Sequence, residues 1–529
     1  MVSYWWDLAL GEVQPLLMAV KKVELFVMEI DPEDMADTAA VYQQAVGEAK
    51  AASELAEVAS HLSRESGSVD HTAIADADQR TADTDGALAG RGTGMEQVGQ
   101  LLKLAMDIAL HHVSQVTSIL DDQLWPEWEA AQASYARARE ENPEPLLPMI
   151  RARHLADFTP VAQEAEEKID DEIATYRRAL MRLGLELYEQ GYDLADGPLQ
   201  LWSSGYMAED AAAKVKELLA DGKRPDPDEL RLWTSVLNSL SRDLRGGGGT
   251  PRELTEAEAE FVLRFFGELD SDTLAALGKL GTDHLEPAQA DTQREALQGI
   301  ADGLIMVRSV VDHDDWYGNI YLGPEERDEA DQLLREFTEP KEGPLFDHEP
   351  GTDEFKAALE KWNSYGALMS EAELPPSAAL SDQLAKAAVD VQERSTGQYA
   401  PRDYFLFELS PDTWVENTGG SGLLHAAALN EDAAAKHLKD PDTADRLLRQ
   451  QWEDSSGAAA YVSQGTQDLS ANPEPDSPQD QARRNVLDAA DRYREELAGK
   501  GDQDKYGHTD HAQLQETLDM LREDHATAR

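Results

Sequence analysis

Residues 95–124 read MEQVGQLLKLAMDIALHHVSQVTSILDDQL, and they decide the fold class because they form the longest strongly periodic segment of the chain. Apolar residues recur here at every third or fourth position, so on a helix they form one continuous stripe. A stripe of this length needs a second apolar surface to cover it. The residues of the stripe are Met95, Val98, Leu102, Met106, Ala109, Val113, Val116, Leu120 and Leu124.

A second long helix is predicted upstream, over residues 31–62. Its first residues, Asp31–Asp34 (DPED), supply an N-cap residue, a proline at the first helical position and an acidic first turn. Mostly small residues form its stripe, which allows two helix backbones to approach closely. We therefore predict a long antiparallel helical hairpin, with residues 66–93 as a loose connector. The stripe consists of Met35, Tyr42, Ala45, Ala49, Ala52, Leu55, Ala59 and Leu62.

The composition extends the all-α prediction to the whole chain of 529 residues. Only 7% of the residues are aromatic, and alanine, leucine and glutamate recur throughout.

Acidic residues number 104 against 47 basic ones, a formal net charge of −57. Such a surface repels nucleic-acid phosphates and anionic membranes, so no nucleic-acid partner is expected. The even spread of the acidic residues favours a role in solubility or a salty environment. A basic partner or DNA mimicry is the alternative.

The absence of cysteine excludes disulfides and thiolate chemistry. Residues 1–29 contain apolar patches but lack a positively charged start, and Lys21, Lys22 and Glu24 interrupt them before a membrane span accumulates. We therefore predict no signal peptide, no transmembrane helix and no stable membrane insertion. The expected location is the cytoplasm before any export, and export would use a non-Sec route.

Proline and glycine runs predict four regions. Residues 1–145 hold the helical hairpin, and 146–249 form a helical domain that ends in the linker Gly246–Gly249. A multi-helix domain over 250–400 and a C-terminal helical region over 401–529 follow. Within the first two regions, Pro126 should kink the second hairpin arm, and Thr159 with Pro160 should start a third long helix that ends near Tyr188.

The later helices are predicted from caps and periodicity. Thr255 and Glu258 have the spacing of a capping box and precede an apolar face that begins at Phe261. Further helices are expected at 208–220, 229–244, 272–280, 288–310, 324–337, 353–369, 378–394, 423–429, 431–438, 443–452, 481–498 and 511–524.

Two clusters contain residues that are able to bind metals. Asp312–Asp315 (DHDD) fails as an EF-hand, because Trp316 and Tyr317 occupy positions that need an oxygen ligand and a glycine. His508 and His511 lack a fourth zinc ligand. A solvated turn and a polar helix start explain the two clusters, so neither a metal nor a cofactor is predicted.

No catalytic residue is predicted either. His111 and His112 are neighbours on one helix and point about 100° apart, so at least one should be exposed. The glycine clusters at 90–94 and 419–422 match neither a dinucleotide fingerprint nor a nucleophile elbow, and both are interpreted as linkers at helix starts. An active site assembled from residues distant in sequence would show itself as a deep pocket with converging polar groups.

The predicted hairpin resembles the WXG100-type hairpins of the type VII (ESX) secretion system in length, helicity and the lack of a conventional signal. It departs from them in its turn, because Trp316–Gly318 is the only Trp-x-Gly and lies far downstream. The export signature of that system, Tyr-x-x-x-Asp/Glu, occurs six times. Tyr192 with Asp196 is the candidate of choice, because it follows a long predicted helix.

The later chain resembles a family of multi-helical, largely uncharacterised proteins of high-GC Gram-positive bacteria. The resemblance lies in 208–240, in 261–280 and above all in Gly422–Ala434 (GLLHAAALNEDAA), followed by Trp452-Glu453-Asp454-x-x-Gly457. It implies an all-α scaffold and an association with type VII-like export or toxin delivery.

These observations favour a non-enzymatic helical protein associated with type VII-like secretion, acting as an exported effector carrier, a scaffold or a partner-binding module. The expected partner is a protein, either a small WXG100-type helical protein or a second copy of the chain. It would contact the stripe residues Met95, Val98, Leu102, Met106, Val113, Val116 and Leu120. The alternative is a cytosolic acidic interaction protein, such as a DNA mimic or a scaffold for a basic partner.

Overall fold

The protein is all-α. The computed structural model describes residues 13–30, 97–189, 205–222, 224–246, 254–282, 284–312, 324–350, 352–396, 417–450, 452–467, 477–492 and 512–527, with single residues at 40, 41, 44 and 51. No strand occurs among them, and none of the helices that they form combines the length and the apolar character that a bilayer crossing requires. They divide into two compact units, one within 1–200 and one within 201–529.

Four helices form the described part of the first unit. α1 packs along α4, and α3 also contacts α4. The upstream arm of the predicted hairpin lies outside the described residues, except for single positions. The helices are α1 (Gln14–Glu29), α2 (97–118), α3 (Trp125–Glu141) and α4 (Leu147–Glu189).

The helical backbone of the second predicted arm continues through Pro126, because a π-helical turn precedes the proline and accommodates its ring. Ile119–Leu124 form this turn, and the backbone passes from it into α3 with helical dihedral angles at Trp125. Proline lacks an N–H and its ring clashes with the carbonyl one turn earlier, so a wider turn removes both problems. Trp128 is consequently buried, with its ring 5.0 Å from that of Phe158 on α4.

The predicted start of the third long helix at Thr159 and Pro160 is wrong. α4 begins at Leu147 and carries Pro160 in its interior. Thr159 Oγ1 donates to the carbonyl of Leu155 at 2.7 Å, so a hydroxyl supplies a hydrogen bond inside the helix next to the proline. Phe158 is 4% exposed, and its burial against Trp128 stabilises the turn that precedes Pro160.

The second unit follows the predicted succession of helices closely. The capping box is confirmed, because Thr255 Oγ1 accepts from the Glu258 N–H at 3.3 Å and the Thr255 N–H donates to Glu258 Oε2 at 2.6 Å. A helix at Ser456–Thr466 was not predicted. The helices are α5 (Gly205–Leu219), α6 (Pro227–Gly246), α7 (Glu256–Glu268), α8 (Ser271–Gly278), α9 (Pro287–Asp312), α10 (Pro324–Thr338), α11 (Pro344–Asp347), α12 (Asp353–Met369), α13 (Ala378–Thr396), α14 (Gly419–Ala428), α15 (Glu431–Leu438), α16 (Pro441–Arg449), α17 (Ser456–Thr466), α18 (Pro478–Arg492) and α19 (Ala512–Thr527).

The predicted regional boundaries fall between helices that pack against each other. α3 contacts α4 across residue 145, α6 contacts α9 across 249, and both α12 and α13 contact α14 across 400. Asp302, fully buried on α9, illustrates how these helices are joined to the following chain. Its carboxylate accepts from the backbone N–H groups of Glu373 and Leu374 at 2.8 and 2.7 Å, and from the Ser241 hydroxyl of α6.

Gly419–Gly422 does not form a linker at a helix start, contrary to the prediction. These residues make up the first turn of α14, and nine of the ten residues of this helix are buried. A Cβ on Gly422 would overlap the carbonyl oxygen of Gly366 on α12, and a Cβ on Gly457 of α17 would overlap the carbonyl oxygen of Ser421. The glycines therefore allow α14 to touch two neighbouring backbones at once.

Candidate partner-binding surface

The stripe predicted to bind a partner is used for packing inside the first unit. Val98, Leu102 and Val116 are fully buried, and Leu120 is 8% exposed. Met106 and Val113 are half-buried. The buried members contribute to the core of the unit, whereas Met106 and Val113 keep part of their surface exposed. Met95, Tyr192 and Asp196 lie outside the described residues.

His112 joins α2 to α4. Its Nδ1 lies 2.9 Å from Glu172 Oε1, and its ring meets the ring of Tyr176 edge-on with centroids 5.8 Å apart. His111 is exposed, in agreement with the prediction that the two histidines cannot both face the core. The histidine pair thus positions two helices and presents one imidazole to solvent.

An exposed apolar face lies instead on α1. Leu16, Ala19, Val23 and Phe26 are buried on one side of this helix. The other side carries the exposed charged residues Lys21 and Glu24 and four large apolar residues: Leu17, Met18, Leu25 and Met28 are 42%, 38%, 38% and 82% exposed. Large exposed apolar residues opposite a buried helix face often mark a contact surface, so this outward face of α1 is the candidate partner-binding surface.

Polar contacts hold α1 in a defined orientation on α4. Lys22 Nζ lies 2.8 Å from Glu166 Oε1 and 2.7 Å from Asp170 Oδ2. Partial burial lowers the pKa of Lys22, but the hydrogen bonds and charges of the two carboxylates outweigh this effect and raise the pKa overall. The Phe26 and Tyr176 rings meet edge-on at 5.2 Å. The outward face of α1 is therefore presented by a helix whose opposite face is anchored.

Residues that would suit nucleophilic catalysis come together in the second unit. Ser456 Oγ lies 3.0 Å from His425 Nε2 and 3.0 Å from Ser421 Oγ, which in turn accepts from the Gly457 N–H at 2.9 Å. Burial lowers the pKa of His425, while the charge of Asp454 opposes the shift. A neutral imidazole next to a serine hydroxyl meets the first geometric requirement of a base and a nucleophile. In this structure the same bonds connect α14 to α17.

A second network, with Tyr461 buried, the His437 side chain 10% exposed and that of Asp382 38% exposed, joins α13, α15 and α17. His437 Nδ1 lies 2.8 Å from the Tyr461 hydroxyl, and His437 Nε2 lies 3.6 Å from Asp382 Oδ1. Burial lowers the pKa of His437, against the charge of Asp382, and raises the pKa of Tyr461. Both groups are neutral at pH 7, so the network positions three helices without a buried charge on the imidazole.

The sequence did not reveal the outward face of α1 or the two networks. The Leu16–Val20 and Val23–Ile30 runs contained the signal for α1, because apolar residues fill more than one side of a single helix there. Nothing local indicated the networks, since their members come from helices that are separated in sequence. Among the described residues, no group of three or more metal-capable side chains occurs. The candidate ligands His313, His508 and His511 lie outside the described residues.

No family model, curated protein or solved structure shows significant similarity to this chain.

Proposed function

We propose that the chain is a non-enzymatic helical protein associated with type VII-like secretion, and that the outward face of α1 binds a small helical-hairpin protein. The observation that carries this proposal is the set of large apolar side chains that α1 exposes opposite its buried face. They form two pairs, Leu17 with Met18 and Leu25 with Met28, near the two ends of Gln14–Glu29, a helix of about 24 Å at 1.5 Å per residue. A partner helix matches a surface of this shape better than an extended peptide.

The size of the face limits what it contributes to binding. Full burial of a large apolar side chain stabilises by about 1.5–3 kcal/mol, so covering four partly exposed ones contributes about 3–6 kcal/mol. Association itself costs about 4–15 kcal/mol. The face of α1 therefore supplies the centre of an interface, and the partner has to contact further residues of the chain. With a net charge of −57, a neutral or basic partner surface is favoured.

Affinity purification of the full-length chain from a high-GC Gram-positive host tests the proposal. We expect the wild-type chain to retain a small helical protein in equimolar amount, and a Leu25→Glu/Met28→Glu variant to lose it. Met149→Glu is the matched control, because Met149 is a 66% exposed apolar residue of α4 in the same unit. Circular dichroism of each variant verifies that the helical content is unchanged.

Export provides the second measurement. The fraction of the chain in the culture medium should fall for the α1 variant and stay at the wild-type level for Met149→Glu. Equal recovery of the partner by both variants, or export that survives the α1 substitutions, would contradict the proposal. A dimer of the chain that dissociates only in the α1 variant would replace the small partner with a second copy.

A further inference from the structure

The outward face of α1 carries two charges at its centre and apolar residues on either side of them. At about 100° per residue, Lys21 projects opposite the centre of the buried face of this helix, and Leu17, Glu24 and Met28 project within about 60° of it. These four residues, which we name the α1 seam, follow one another at spacings of four, three and four, as in a coiled-coil contact. In chain order the seam reads apolar, basic, acidic, apolar.

The two charges of the seam have no partner in the part of the chain that the structure describes. Lys21 and Glu24 are exposed, and neither forms an ion pair with the other or with another described residue. The adjacent Lys22, by contrast, is held by Glu166 and Asp170 of α4. The seam therefore offers one cation and one anion, about one helical turn apart, to a surface that approaches α1.

The order of the charges is complementary to itself when two copies of α1 run antiparallel. With a two-fold axis through the middle of the seam, Lys21 lies opposite Glu24 of the second copy, and Glu24 lies opposite Lys21 of the second copy. Two opposite-charge pairs form in this arrangement. A parallel arrangement instead places each lysine opposite a lysine and each glutamate opposite a glutamate, which is repulsive.

The apolar residues of the face obey the same symmetry. In the antiparallel arrangement Leu17 lies opposite Met28 of the second copy, and Met28 lies opposite its Leu17. Met18 and Leu25, on one edge of the face, lie next to Leu25 and Met18 of the second copy. Every large apolar side chain that α1 exposes on this face is thus matched by another, so a second copy covers the whole face.

We propose that a second copy of the chain binds the outward face of α1, antiparallel through the α1 seam, when the small helical partner is absent. This inference rests on the proposed function in that it uses the same face, and it concerns the regulation of that face. Both occupants cover Leu17 and Met28, so they exclude each other. Self-association then lowers the concentration of chain that is free to bind the small partner.

The size of the face predicts a weak dimer. A helix face of about 24 Å by about 10 Å is well below the approximately 800 Å² per partner that is typical of stable complexes. The net charge of −57 on each chain adds repulsion. We expect a dissociation constant of about 10 µM to 1 mM, so a partner with additional contacts displaces the second copy.

Sedimentation equilibrium of the full-length chain tests the proposal, with protein from a host that encodes no type VII-like partner and about 0.15 M salt. Lys21→Glu and Glu24→Lys should each weaken dimerisation by about tenfold to a hundredfold, because each replaces two opposite-charge pairs with two like-charge pairs. General repulsion between acidic chains predicts the opposite sign for Glu24→Lys, which makes the net charge less negative. Lys103→Glu, at an exposed residue of α2, is the control with the same charge change as Lys21→Glu, and it should leave dimerisation unchanged.

Mixing the two single variants gives the most specific measurement. In a mixed dimer of the Lys21→Glu and Glu24→Lys chains, all pairs are again between opposite charges, so an equimolar mixture should recover dimerisation close to the wild-type level. The double variant Lys21→Glu/Glu24→Lys should dimerise with itself and not with the wild-type chain. Recovery in the mixture also shows that both variants are folded at α1.

The outcomes separate this inference from the proposed function. A chain that stays monomeric up to about 1 mM, stronger dimerisation of Glu24→Lys, or no recovery in the mixture would overturn self-association through the seam. Retention of a small protein by a chain that is monomeric alone would leave the proposed function intact and remove this inference. A dimer with the expected charge dependence, from a chain that retains no small protein in its host, would do the reverse.

Discussion

Replacement of Gly422 by alanine is the sharpest test of how α14 packs. A Cβ at this position would overlap the carbonyl oxygen of Gly366, a backbone atom that no rotamer change can move aside. Overpacking that side chains can relieve costs about 1–3 kcal/mol, and a backbone obstacle raises this to about 3–5 kcal/mol. Alanine recovers about 1 kcal/mol of helix propensity. We therefore expect a net loss of about 2–4 kcal/mol.

Hydrogen exchange followed by mass spectrometry measures this loss segment by segment. Exchange in 419–428 should become about 30- to 1,000-fold faster, whereas exchange in 97–189 should not change. Gly281→Ala is the control, because a Cβ at Gly281 has no atom within 4 Å, and its exchange should match the wild type or be slower. If residues 419–428 exchange as slowly in the Gly422→Ala variant as in the wild type, the close backbone contact between α12 and α14 is refuted.

Three further substitutions probe the polar contacts. Ser421→Ala leaves the buried N–H of Gly457 without its acceptor and should cost about 1–3 kcal/mol, measured as a lower urea midpoint. His437 has a pKa below its ordinary 6.5 in the folded chain, so the unfolded chain binds more protons in acid. The stability advantage of the wild type over His437→Gln should therefore be full above about pH 6.5 and shrink towards pH 5; an advantage that grows in acid would contradict this. Lys22→Met removes two ion pairs that are partly open to solvent, and exchange in α1 should become a few-fold faster with α3 unchanged.

The sequence predicted those features of the fold that depend on contacts within one helical turn. The capping box at Thr255 and Glu258 satisfies N–H groups within one turn, so its sequence spacing is sufficient to place the start of α7. Pro160 misled the prediction because proline is accepted both at a first helical turn and, with compensation, in an interior. Here the lost backbone hydrogen bond is compensated by the Thr159 hydroxyl and by the burial of Phe158. The burial of Phe158 depends on Trp128, which belongs to another helix, α3.

The glycines of α14 show why the remaining features could not be predicted. The role of these glycines depends on their contact with Gly366, which lies on a different helix. In the sequence alone, glycines that form a linker before a helix cannot be distinguished from glycines that form a contact surface. The apolar stripe at 95–124 shows the same limit for the prediction of a partner-binding surface. An apolar stripe predicts that a surface will be buried, but not whether the chain itself or a partner buries it.

α14 also has a consequence for the order in which the protein forms during synthesis. Three glycines in its first four residues cost about 3 kcal/mol relative to alanine, and ten residues are fewer than an isolated helix needs in water. This segment can become helical only against neighbours, and one of them, α17, lies downstream in the chain. A nascent chain that has not yet reached Ser456 therefore holds the segment of this buried helix in an unfolded form, with the apolar residues that follow the glycines exposed to the cell's chaperones and proteases.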